Sequence, residues 1–477
     1  MEGVALVSNN LKKREWYMHI KKYDFDYSRR FFIDKMAKGA MGAGVLTSLW
    51  PLIAESGDIA KAYPEELQSL SAYTKGKVNE GEFITADNVE HVKDLLCPIT
   101  YEEVSQMGRR IKVVPQTTDV TKLYPHDFFE ATLKNSGQAG LDETGNVVVK
   151  ANGKPWIGGM PFPDPQTGFE AFSNLGLTAG RHDETQYAAR DWDLSAEGEV
   201  EYEYELAACE KTAMGRVSDP DGPYWQGHED KLRYTGVWFV SPQDVSGTSF
   251  LNTILYDQRK FPSLVGYIPA FKRVRRFPTN QRFEPLVPGI TVFLSDFWAA
   301  GDPLLTWGNY KVVGRGPFLG GQSDNWNGDQ KDWIPPTHGG PKGKTFWESS
   351  FEFCPEVLVI EAEPTGYPRA PVSKKRVWLD LRNMAYIAYM TYDRKGQIWK
   401  SFETAFSQYT KGDITMSDHR GHPAWGPTWV HSHDVQSGRM SRLALAEKLS
   451  NGYRSINDQS GVYDKYLTAQ AIRRLGI

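Results

Sequence analysis

Cysteine is scarce: the 477 residues hold three, Cys97, Cys209 and Cys354, far apart and without a C-x-x-C pair. That excludes a disulfide-stapled scaffold; at most one bridge could form, and sequence alone gives no pairing. An excess of positive charge is also missing. Lys and Arg number 55 against 59 Asp and Glu, a formal charge of −4, which argues against a general nucleic-acid binder. The usual catalytic signatures are absent as well: no G-x-S-x-G elbow, no Walker loop and no H-E-x-x-H helix. Gly314-Arg315-Gly316 continues as Pro317-Phe318-Leu319-Gly320, with the third glycine misplaced for a dinucleotide loop. No long hydrophobic run is present either. The uncharged part of the most apolar stretch runs only from Gly39 to Ala54 and contains Gly39, Gly42, Gly44 and Pro51. A permanent spanning helix needs roughly 20 apolar residues.

That stretch follows a basic segment with Lys12, Lys13, Arg14, Lys21 and Lys22. A basic segment before a moderate apolar one is the layout of an export signal. Ser28-Arg29-Arg30-Phe31-Phe32-Ile33 resembles the twin-arginine signal, with Asp34 departing from its pattern, and Ala60-Lys61-Ala62 offers small residues to a signal peptidase. The expectation is a signal region over residues 1–62, a mature chain from near Tyr63, and residence in the periplasm. An uncleaved signal serving as a membrane anchor is the alternative.

What the chain has in quantity is aromatic residues, 15 Trp, 23 Tyr and 23 Phe, together with 44 Gly and 28 Pro. Aromatics suit strands and ligand-facing surfaces. Val200, Tyr202, Tyr204 and Leu206 alternate with Glu199, Glu201, Glu203 and Glu205, which predicts a half-buried strand with the apolar four on one face. Further strands are expected at 234–240, 249–257, 264–268, 271–277, 356–362, 376–381, 385–392 and 397–402, joined by short hairpin connections. Helices are expected over Thr85–Cys97, stopped by Pro98, and over Leu467–Leu475. Nothing alternates strand with helix, which argues against a parallel nucleotide-binding sheet. The reading is a mainly β, α+β chain, with residues 63–477 as one domain and a long loop near 318–344 dense in Gly, Asp, Asn, Trp and Pro.

Two clusters carry chemistry. Ser417–Asp434 packs several histidines together. His431 and His433, two apart in an extended segment, share a face, and with His419 and Asp434 they are the candidate metal ligands. The alternative is a loop leading into a strand, its histidines satisfied by hydrogen bonds. In Lys272-Arg273-Val274-Arg275-Arg276, Arg273 and Arg275 share one face. They are either charges that protect an edge strand or a guanidinium pair for an anionic head group.

Several segments together carry a resemblance. They are Trp156-Ile-Gly-Gly-Met-Pro-Phe-Pro-Asp-Pro-Gln-Thr-Gly-Phe-Glu170 with Asn174, Phe271 to Pro278, Val377-Trp-Leu-Asp380, Tyr392 to Trp399, and Asp434-Val-Gln-Ser-Gly-Arg439. In this order, and across Gly81 to Arg439, they resemble the exported bacterial family labelled domain of unknown function 1329, whose members are described as outer-membrane lipoprotein-sorting-protein-like. The resemblance implies a LolA/LolB-like fold: a strongly curved antiparallel sheet, a half-open barrel with helices plugging its mouth. It also implies an apolar cavity suited to acyl chains, and it brings no catalytic residues.

The resulting expectation is a carrier or chaperone without cofactor, binding a lipid, a lipoprotein acyl chain or another hydrophobic compound, with outer-membrane or transporter proteins as partners. Val200, Tyr202, Tyr204 and Leu206 are the candidates for its cavity wall, and Arg273 and Arg275 for a head group. The competing expectation is an exported metal-dependent enzyme built on His419, His431, His433 and Asp434.

Overall fold

A computed structural model describes residues 63–322, 324–335, 348–458 and 461–476. The expected signal at 1–62 and the loop residues 336–347 lie outside the described residues.

The strands are β1 Phe83–Ile84, β2 Arg110–Val113, β3 Ala139–Leu141, β4 Val147–Val149, β5 Glu184–Leu194, β6 Val200–Thr212 and β7 Lys231–Ser241. They continue as β8 Ser249–Leu255, β9 Ser263–Ile268, β10 Arg273–Arg276, β11 Gly308–Gly320, β12 Glu348–Glu363, β13 Val372–Asp380 and β14 Ala385–Asp393. The last are β15 Ile398–Gln408, β16 Thr410–Lys411, β17 Ile414–Thr415, β18 Trp425–Asp434, β19 Arg439–Ala446 and β20 Ile456–Asn457. One large sheet runs in the order β1-β2-β12-β13-β14-β15-β18-β19-β5-β6-β7-β8-β9-β10, with β11 also on β12 and β20 on β5. Every pair is antiparallel except β2–β12, which makes the sheet mixed. It does not close into a barrel, in keeping with the half-open architecture expected from sequence.

The helices are α1 Leu70–Thr74, α2 Pro98–Met107, α3 His126–Asn135, α4 Gly168–Thr178, α5 Val462–Tyr466 and α6 Ala469–Leu475. Here one expectation is corrected. Pro98 does not stop a helix over 85–97; it starts α2, with Cys97 as N-cap, while Val89–Leu95 forms a 3-10 stretch. Proline at the first helical position is favoured because its missing N–H would have no partner there anyway. Gly108, at φ 82°, ends α2 in a left-handed conformation that glycine adopts without steric cost. The three cysteines are buried and free, and burial pushes the Cys97 thiol up to about 11.

Both faces of the sheet are covered. On one, Trp192, Leu319, Phe351, Phe353 and Ala444 pack against the N-terminal segment through Leu67, Leu70, Val92 and Val104. Farther along that face, Ala207, Tyr234, Trp238 and Leu251 receive Val462 of α5, Ile472 of α6 and Leu467 from the turn between them. The opposite face packs against α3 and α4, with Phe128, Phe129, Phe172 and Leu175 joining Leu206, Val237, Leu358 and Phe402 in the largest core.

The N-terminal cover is also bound by charge. Arg109 Nη1 lies 2.7 Å from Glu103 and 2.6 Å from Glu403, and its Nη2 donates to Ser349 at 2.9 Å. Removing one partner of a buried ion network strands the remaining charges, at a cost of about 3–5 kcal/mol. Arg109→Met should therefore lower unfolding free energy by about that amount, read from the urea denaturation midpoint. A loss below about 1 kcal/mol would contradict this role.

Candidate ligand cavity

The alternation that defines β6 continues past the predicted strand. Leu206, Ala208 and Glu210 follow Tyr202 and Tyr204 on the same face, and all three line a cavity of about 110 Å³. Its other walls include Tyr389 of β14, Phe402 of β15, Val430 of β18, Leu443 of β19, Ala189 of β5 and Val237 of β7. These seven strands are consecutive in the sheet. Laid flat, their six spacings of about 4.8 Å would separate the first and last by about 29 Å. Sharing one small cavity requires the sheet to curl around it, so this face is the concave one.

The remaining wall is the segment 291–299, which supplies Val292, Asp296, Phe297 and Trp298. Polar contacts pin it to the sheet. Lys400 Nζ, on β15, donates to the Thr291 carbonyl at 2.8 Å and to Asp296 Oδ2 at 2.9 Å, and it lies 3.1 Å from the centre of the Phe293 ring. Asp296 Oδ2 also accepts the Phe293 N–H at 2.9 Å, and Tyr389 donates its hydroxyl to the Asp296 carbonyl at 2.9 Å. At the other end, Trp298 Nε1 donates to Glu210 Oε1 at 2.9 Å, and its ring lies between Tyr187 and Phe406. Trp298 and Ala299 take φ of 57° and 54°, a region that costs non-glycine residues about 1–2 kcal/mol each. The tryptophan's fixed contacts offset that strain. Burial lowers the Lys400 ammonium pKa and raises that of the Glu210 carboxyl; Asp296 counters the first shift, Arg233 and Trp298 the second. With these groups engaged, the wall left facing the cavity is overwhelmingly apolar.

The candidate residues fall in different places. Leu206 lines the cavity. Tyr204 is buried and donates to the Pro288 carbonyl at 2.7 Å, just before the pinned segment. Tyr202 stacks on Tyr204 at 5.9 Å but is 37% exposed, and Val200 is 54% exposed; neither is among the lining residues. Arg273 and Arg275 sit on β10 at the sheet's edge, three strands beyond β7, and the Arg275 guanidinium lies 4.0 Å over the Phe271 ring.

The four candidate metal ligands are not brought together. His431 and His433 share a face, as their spacing predicts, but it is the outer face, where both meet Glu103 Oε1 at 3.0 and 2.9 Å. Burial would raise the Glu103 carboxyl, but His431, His433 and Arg109 hold it well below the usual carboxylate range. Asp434 Oδ1 instead accepts the N–H groups of Gln436 and Ser437 in the β18–β19 turn. His419 lines a separate polar cleft with Asp183, Lys211 and Arg216. Sequence reasoning missed the pinned segment altogether. Its one signal was Lys400, a cation on the inward face of a strand, which demanded a buried counter-charge.

Close to where the segment begins, β5 carries two carboxyls on the inner face. Asp193 accepts the Ser441 hydroxyl, and Ser441 in turn accepts the Thr291 N–H at 2.8 Å. Burial raises the Asp191 carboxyl to about 7, and burial together with Asp191 raises Asp193 to about 9.

The geometry defines a class: an open, curled sheet whose concave face and a pinned crossing segment enclose an apolar cavity. The chain belongs to the DUF1329 family, described as a protein of unknown function, whose family model matches residues 83–473. No curated protein sequence matches it. Among solved structures it is similar to a putative outer membrane lipoprotein-sorting protein domain from Vibrio parahaemolyticus. That pair shares 16% identity over 64% of this chain and 98% of the other, at TM-score 0.41. A DUF1329 family protein from Desulfovibrio piger matches at 14% identity over 64% and 97%, also at TM-score 0.41. A LolA superfamily protein from Nitrosomonas europaea matches at 13% identity over 59% and 92%, at TM-score 0.34.

The aspartate pair sets a pH dependence. A carboxyl whose pKa is higher folded than unfolded binds more protons in the folded state, so its contribution is complete below about pH 4 and is lost as pH rises through the raised values. Stability should fall by several kcal/mol as pH rises from about 5 to about 9, and Asp191→Asn with Asp193→Asn should flatten that slope. Denaturation midpoints across the range check it; an unchanged slope in the double variant would contradict it.

Proposed function

We propose that the protein is an exported periplasmic carrier that shields an apolar molecule, an acyl chain or a comparable lipid segment, from water. The observation that carries this reading is the apolar cavity between the concave face and segment 291–299. Its 110 Å³ of free space is of the order that takes a benzene-sized guest. A longer chain therefore enters only as the segment moves, and each buried methylene returns about 0.8 kcal/mol. Among the described residues no helix is long and apolar enough to cross a membrane. Under this reading the outer-membrane or transporter proteins that receive the cargo are its partners.

Native mass spectrometry of the mature protein, followed by denaturation, should release an apolar small molecule. Trp298→Ala removes one wall of the cavity and its bond to Glu210. It should raise affinity for a fluorescent long-chain acyl probe by about fivefold or more, since each kcal/mol gained is about a factor of five. Leu443→Trp, which fills the cavity, should abolish binding, and Arg273→Ala with Arg275→Ala should leave it unchanged. Equal affinity in the wild type and in both cavity variants would overturn the cavity as the binding site.

A further inference from the structure

The loop that opens the histidine-rich stretch meets the start of α3. His126 Nδ1 lies 3.1 Å from Asp127 Oδ1. His422 Nδ1 lies 3.6 Å from that same oxygen and 3.5 Å from Asp418 Oδ2. The ligand atoms of His126, Asp127 and His422 all fall within 4.8 Å of one another, and the two imidazoles stack with centroids 3.8 Å apart. Ligand atoms about 2.0–2.1 Å from a tetrahedral zinc span edges of about 3.3 Å. The two separations from Asp127 Oδ1, 3.1 and 3.6 Å, bracket that edge.

We propose that His126, Asp127 and His422, with Asp418 orienting His422 from the edge, form a binding site for a divalent transition-metal ion of the zinc class. Two imidazoles and a carboxylate are a donor set that such borderline ions favour, in preference to the all-oxygen sets of calcium or magnesium. The oxygens are prepared for it. Asp418 Oδ1 accepts the N–H groups of Arg420 and His422 at 2.8 and 3.0 Å, which leaves Oδ2 turned toward His422. Arg420 Nη1 holds Asp127 Oδ2 at 2.9 Å, which orients the carboxylate with Oδ1 toward both histidines. Outer partners of this kind fix the ligands of metal centres. The Asp127 side chain is 6% exposed, that of His126 12% and that of His422 28%, so the site is shielded and still open to an incoming ion.

The consequence is mechanical. The ion ties the N-terminus of α3 to the loop that leads into β18, whose residues Pro427–Val430 line the cavity. The site is independent of whether that cavity holds a lipid, so its test needs no cargo.

The test is a calorimetric zinc titration of the chelator-treated full chain, with bound metal counted by elemental analysis. One equivalent should bind, and the melting temperature should rise with zinc concentration. His422→Ala and His126→Ala should each weaken binding by about 100-fold or more, whereas His419→Ala, in the same loop but facing the polar cleft, should bind as the wild type does. Because His422 is partly exposed, its replacement leaves the core intact, and circular dichroism confirms the fold. No uptake by the wild type, or wild-type affinity in His422→Ala, would overturn the proposal.

Discussion

A single buried ion pair determines what the concave face can be used for. Lys400 stands on the inner side of β15, two residues from the cavity-lining Phe402, and Asp296 meets it at 2.9 Å. Burying either ion alone costs several kcal/mol, repaid only when the pair is close and its remaining hydrogen-bonding capacity is met. Here that condition is satisfied by Thr291, by the Phe293 N–H and by the face of the Phe293 ring. The pair thus fixes segment 291–299 across the sheet, and the cavity is the space the segment leaves. Trp298 adopts a left-handed backbone conformation and wedges between aromatic rings because the segment is anchored at its other end.

The two faces of the sheet are handled by different physics. The outer face carries a polar row in direct register, Glu403 opposite His431 and His431 opposite Arg442, which is neutralised by Glu103 and Arg109 from the N-terminal cover. The inner face is mostly apolar, and Lys400, Glu210 and Ser441 on it are tied to the crossing segment. A network of paired charges specifies one docking geometry, whereas an apolar wall tolerates many guests. The arrangement puts the specific contacts where the cover must not move and the tolerant surface where a ligand would lie.

How much of this was legible follows from the same contrast. Strands with one wet face, such as β6 with its four glutamates, announce themselves by alternation. β18 and β19 are covered on both sides and show no simple period, so only the extended end of β18 around His431 and His433 was anticipated, and Arg439–Ala446 was not. β5, covered on both sides as well, was not anticipated as a separate strand, and β11 was hidden by its glycines and Pro317. The family resemblance, drawn from segments such as Val377–Asp380 and Tyr392–Trp399, was legible because those residues lie in β13 and in the turn between β14 and β15. The partners of His431 and His433 were not, because Glu103 lies more than 300 residues away in sequence. Nothing local linked His126 to His422, or Lys400 to Asp296; only the fold brings each pair together.

The most direct measurement is photolabelling of the full chain with a long alkyl diazirine, followed by peptide mapping of the modified residues. The account predicts labels in 291–299 and on the inward residues of β6, β15 and β19, with competition by unlabelled alkyl chains. Labels confined to the β9–β10 edge or to the outer face, with none in those peptides, would contradict it.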